Sequence, residues 1–114
     1  MTRIYKILPR AEWEAAQATG AFLGSAVDLA DGFIHFSAAD QAEETARRYF
    51  AGQADLYVLA VEAEALGPAL KWEPSRGGAL FPHLFGPLPC DQVIEARPAP
   101  LRADGLPDLG DLTP

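Results

Sequence analysis

Two histidines, His35 and His83, are the only imidazoles in this 114-residue chain. Imidazole changes charge near neutral pH, so both are candidates for acid–base work. Each lies in an apolar, turn-bounded stretch: Gly32-Phe33-Ile34-His35-Phe36-Ser37 and Phe81-Pro82-His83-Leu84-Phe85-Gly86-Pro87-Leu88-Pro89. Pro82, Pro87 and Pro89 restrain the backbone around His83, and a stiff loop presenting His and aromatic side chains suits a ligand wall. Bland readings stand beside these: a half-buried, backbone-bonded histidine at 35, and a structural one in a packed turn at 83. Arg76 follows Pro74-Ser75 and precedes Gly77-Gly78. There a guanidinium could grip phosphate or carboxylate at two points, or simply stay solvated. Glu73 could act as a general base or hold a ribose hydroxyl.

Other chemistries find little support. Cys90 is the only cysteine, so no intrachain disulfide can form, which fits a reducing cytoplasm. It lies between Pro89 and Asp91, and an adjacent carboxylate disfavours a nucleophilic thiolate. His35, His83 and Cys90 lack the short spacings of a zinc motif. No glycine-rich phosphate loop, dinucleotide fingerprint or nucleophile elbow is present. A net charge of −7 disfavours nonspecific binding to nucleic acid or anionic membrane. No secretory leader is evident at Met1-Thr2-Arg3-Ile4-Tyr5, and no apolar run approaches membrane-spanning length.

The elements that must position these residues read as a single α+β domain over 1–97. A strand is expected at Ile4–Leu8. A helix at Arg10–Thr19 follows, closed by Gly20 and anchored by Trp13. Phe22–Leu29 reads as an edge strand or loop, and Asp31-Gly32 as a turn. In a strand at Phe33–Phe36, His35 would share a face with Phe33 and Ser37. Ser37-Ala38-Ala39-Asp40 resembles a capping box, which would put His35 and Ser37 at a helix start able to hold an anion. The stripe Ala42, Thr45, Ala46, Tyr49, Phe50 predicts an amphipathic helix, supported by Glu43–Arg47 and Glu44–Arg48 pairs. Leu56–Val61 is apolar at nearly every position and predicts a central strand covered on both faces. Leu70–Glu73 and Gln92–Ala96 are further strands. Phe81–Pro89 is too proline-rich for a central strand. Residues 98–114, rich in Pro and Gly, read as an irregular tail.

Taken together, Ile4-Tyr5-Lys6-Ile7, "GFIHFS" at 32–37, Asp55-Leu56-Tyr57-Val58-Leu59 and "FPHLFGPL" at 81–88 resemble the bacterial domain of unknown function 952 family over about residues 1 to 97. That family is similar in fold to the ADP-ribosyltransferases. The resemblance implies bent or split, mainly antiparallel sheets, two main helices and a cleft that holds NAD. It places a first-strand site position at Tyr5-Lys6, with Lys6 where many members carry His, and a second at His35 and Ser37. A later acidic residue falls on Glu73 or Glu95. The implied enzyme is a transferase or NAD glycohydrolase acting on a nucleotide substrate, with no tightly bound cofactor. His35, His83 and Glu73 would be catalytic, and Tyr5, Lys6, Ser37, Arg76 and Phe85 would bind ligand, Phe85 by stacking. Two alternatives remain open: a non-catalytic small-ligand module with the same cleft, and a partner-binding protein.

Overall fold

A computed structural model describes all residues, Met1–Pro114. The chain is mixed α+β, with three antiparallel sheets. Strand β1 (Arg3–Pro9) runs directly into helix α1 (Arg10–Thr19), which Gly20 closes in the left-handed conformation (φ 93°). A short β2 (Ala21–Phe22) leads to a six-residue helix, α2 (Ala26–Asp31). Next come β3 (Ile34–His35), β4 (Ser37–Ala38) and helix α3 (Ala42–Tyr49). The second half is mostly strand: β5 (Leu56–Glu62), β6 (Leu70–Pro74), β7 (Leu80–Leu84), β8 (Leu88–Pro89) and β9 (Val93–Ala99).

The main sheet has the order β4-β1-β5-β9, and a three-stranded sheet has the order β3-β7-β6. As expected for its uninterrupted apolar sequence, β5 is central and buried on both faces. Leu59 and Val61 join Ile4, Leu8, Trp13, Phe36 and Leu84 in one core. Val58 and Ala60 join Tyr5, Ile7, Ala42, Ala46 and Leu109 in a second. Lys6 shares the strand face of Ile4 and Leu8 and so projects toward the first core, where a lysine needs a partner.

Four expectations are corrected. The second half of Phe22–Leu29 is neither strand nor loop but the start of α2. Ser25 caps α2 in a reciprocal capping box with Asp28, and Gly32 (φ 88°) ends the helix. Ser37 does not cap a helix: it lies in β4, and α3 begins five residues later behind Gln41, so no helix start meets His35. β7 runs through Pro82 and is central in its sheet. Its register with β3 covers only Leu84 and His83, so Pro82 lies past the end of that pairing. Pro82's carbonyl accepts from the Phe36 N–H at 3.0 Å, so its backbone polar groups face β3, and the missing N–H forgoes one bond at the end of that short pairing while the β6–β7 ladder is untouched. Finally, β9 extends to Ala99 and so takes in the first two residues of the expected tail.

The chain after β9 lies against the second core. Leu109 is fully buried, Arg97 donates to the Leu109 and Asp111 carbonyls, and the Tyr5 hydroxyl donates to the Thr113 carbonyl at 2.7 Å. No helix is long and apolar enough to cross a membrane.

Candidate functional site

At Phe36 the chain leaves the three-stranded sheet and enters the main one, because β3 pairs with β7 while β4 pairs with β1. The sheets part around this crossing, and a cleft of about 600 Å³ opens there. That volume suits a small-molecule ligand. One wall carries Glu12, Ser25, Asp31, His35 and Lys6, from α1, α2, β3 and β1. The other carries Thr45, Tyr49, Arg76 and Phe81, from α3, the 75–78 turn and β7, and the buried Ser37 and His83 also line the cleft.

The two histidines are directly opposite each other in the β3–β7 register. Side chains at paired positions project to the same face, and the rings stand 5.5 Å apart in an edge-on arrangement. Phe33 shares that face and stacks on His83 at 4.1 Å, tilting over His35 at 4.5 Å. Each imidazole is held by a carboxylate. His83 Nδ1 is 2.8 Å from Glu73 Oε1, an arrangement in which Nδ1–H donates to the carboxylate and Nε2 is left as the nitrogen that can take up a proton. His35 Nδ1 is 2.7 Å from Asp28 Oδ1, and its Nε2 is 3.0 Å from Asp31 Oδ2.

Asp28 is the hub of this wall. Its side chain is 0 % exposed, yet it meets Lys6 Nζ at 2.9 Å. It also accepts from the Ser25 N–H at 2.8 Å and the His35 N–H at 3.2 Å. Burial pushes its pKa up, but the His35 hydrogen bond, the Lys6 charge and hydrogen bond, and the Ser25 N–H outweigh that and hold it at about 2. For Lys6 the balance goes the other way. Burial holds the ammonium below its ordinary value, although Asp28 partly compensates.

The opposite wall is built differently. Arg76 lies with its guanidinium 4.8 Å from the Phe81 ring centre and 6.0 Å from that of Tyr49, within cation–π range. It reaches the Thr45 hydroxyl at 3.4 Å. Thr45 donates to the Gln41 carbonyl at 3.1 Å, so in its 2.9 Å contact with Ser37 the serine is the donor.

The structure thus brings His35, His83, Ser37, Arg76 and Lys6 to one cleft. Tyr5 borders it, with its hydroxyl committed to Thr113. Glu73 is not a cleft wall; its carboxylate holds His83. Phe85 is outside the cleft lining, exposed, with the Lys71 ammonium 5.1 Å from its ring and the Phe33 ring centre also 5.1 Å away. Glu95 is on β9, paired with Arg97. The sequence does not single out Asp28, Asp31, Glu12, Thr45 or Tyr49 as site residues, although the structure places them there. Ser25-Ala26-Val27-Asp28 carries the capping-box spacing that would have singled out Asp28.

A search of curated proteins gives no match. Among solved structures, the crystal structure of protein CC0527 from Caulobacter crescentus is 64% identical over 93% of each chain, with a TM-score of 0.91. The solution NMR structure of CC0527 is also 64% identical, covering 94% of this chain and 92% of that one, with a TM-score of 0.85. A family model described as "Protein of unknown function (DUF952)" matches residues 7–96. The span of that match takes in both histidines, their three carboxylate partners Asp28, Asp31 and Glu73, and Arg76, and the chain belongs to the DUF952 family.

Proposed function

We propose that this cleft is the active site of an enzyme acting on NAD or a related nucleotide, in keeping with the resemblance to the ADP-ribosyltransferases. The observation that carries the reading is the pairing of His35 and His83 across adjacent strands, each with its own carboxylate, at a cleft of ligand size. His83 is the acid–base group: Glu73 fixes its tautomer and orientation, leaving Nε2 to exchange a proton with a reacting hydroxyl or water. Asp31, the carboxylate that borders the cleft beside His35, takes the part of orienting a ribose hydroxyl and stabilising an oxocarbenium-like centre. In glycohydrolysis, water forms the new bond to the ribose anomeric carbon as the bond to nicotinamide nitrogen breaks. Nicotinamide leaves neutral, and the water's proton passes to His83.

The test is a titration of the protein with NAD, ADP-ribose and nicotinamide, following the His35 and His83 ring-proton NMR signals. His35→Ala and His83→Ala provide the assignments. Both rings shifting with one nucleotide, followed by nicotinamide release in a product assay, supports the proposal. No shift at millimolar nucleotide overturns it.

A further inference from the structure

The nine Lys and Arg residues are outnumbered by sixteen Asp and Glu. In such a chain a cation normally finds a carboxylate, and the arginines here bear that out with one exception. Arg3 pairs with Glu62, Arg10 with Glu14 and Asp55, Arg47 and Arg48 with Glu44, Arg97 with Glu95, and Arg102 with Asp104. Arg76 alone has no carboxylate within ion-pair distance, and it is the arginine on the cleft wall. It is half-buried and held by two aromatic faces and one hydroxyl. Those contacts fix the planar fork while leaving most of its N–H donors unused.

From this we infer that Arg76 is the specificity determinant for a phosphate on the ligand, and that the cleft binds a phosphorylated sugar in one orientation only. This rests on the nucleotide reading above and adds which end goes where. On the opposite wall Asp31 and Glu12 carry negative charge, and Glu12 accepts from Ser25 Oγ at 2.6 Å. Those carboxylates repel a phosphate and accept hydrogen bonds from hydroxyls. The phosphate therefore lies against Arg76, and the sugar hydroxyls face Asp31 and Glu12, with His83 between the two ends.

The experiment compares adenosine 5′-monophosphate, ribose 5-phosphate and adenosine by calorimetry and by the histidine NMR signals, for the wild-type protein, Arg76→Gln and Arg76→Lys. The two phosphorylated probes should bind at least about ten-fold more tightly than adenosine, as expected for a charge-assisted contact. Arg76→Gln should abolish that preference while leaving adenosine affinity within about two-fold, and Arg76→Lys, which keeps the charge without the fork, should fall between. Phosphorylated probes that bind and shift both histidines with no dependence on Arg76, or an Arg76→Gln that weakens all three alike, overturn the inference and leave the nucleotide reading standing. If none of the three probes moves either histidine, both readings fall.

Discussion

Replacing Lys6 by Met removes the ammonium from beside a fully buried Asp28 carboxylate while keeping a side chain of similar length and volume. No cavity is opened, so the cost reports the charge rather than the packing. Removing one partner of a buried ion pair costs about 3–5 kcal/mol. Asp28 keeps its bonds from the Ser25 and His35 N–H groups and from the His35 ring, which puts the loss at the low end, about 3 kcal/mol. For a chain of this size that lowers Tm by about 12 °C. Asp28→Asn strands the lysine instead and should cost a similar amount. Because each single change leaves one unpaired charge and the double change leaves none, Lys6→Met/Asp28→Asn should be more stable than the sum of the two, with a coupling of about 2 kcal/mol. The pH profile supplies an independent check. Asp28 in the folded protein has a pKa of about 2, below its ordinary 3.8, so its contribution is complete above about pH 4 and is lost as pH falls toward 2. That limb is on the order of 2 kcal/mol deep in the wild type and should flatten in Lys6→Met, where the carboxyl no longer lies so far below its unfolded value. Urea titrations from pH 2 to pH 7 measure both quantities. A Lys6→Met penalty below about 1 kcal/mol, or single penalties that simply add, would refute the assignment of this pair as the wall's electrostatic anchor.

Glu73→Gln should cut nucleotide turnover at least about ten-fold at unchanged KM, because the His83 tautomer is no longer fixed; a loss confined to KM would remove Glu73 as the positioning residue. Ser37→Ala deletes the donor to Thr45 and should cost about 1 kcal/mol by urea denaturation. Leu109→Ala truncates a residue buried in the second core and should cost about 3 kcal/mol. Trp13, buried in the first core, is a fluorescence probe for both unfolding curves.

The legible parts of the fold were those where burial and hydrophobicity agree. β1, α1 and β5 follow their apolar periodicities, with Trp13 buried where the spacing put it; on α3 Ala42 and Ala46 are buried, but Tyr49 of the same stripe is 60% exposed. The cleft's two histidines were legible as residues, and their alternation placed His35 on the face of Phe33. What stayed hidden follows the opposite rule. Helix α2 exposes Val27 (57%) and Leu29 (66%) and buries Asp28 (1%), so no apolar stripe announces it. The inversion is possible because Lys6, distant in sequence, supplies the counter-charge, and a one-dimensional pattern cannot show that. Pro82 concealed β7 for a related reason, since its tolerance depends on which neighbouring strand its missing N–H faces, here the short β3 rather than β6. Of the two ion pairs expected on α3, Glu44–Arg48 forms, whereas Glu43 lies 3.9 Å from Arg102 of the C-terminal segment.

The unequal construction of the two cleft walls governs how this protein can change. On one side the groups that meet a ligand also hold α2, β1 and β3 together through a single buried carboxylate, so a substitution at Lys6, Asp28 or His35 is judged first by folding and only then by chemistry. On the other, Tyr49, Arg76 and their neighbours belong to a helix surface and a glycine turn, where most replacements cost little stability. Selection for a new ligand, in nature or in the laboratory, should therefore accumulate substitutions at positions 45, 49 and 75–80 and leave the acidic wall intact. Reaction chemistry is the slow variable of this scaffold and ligand choice the fast one.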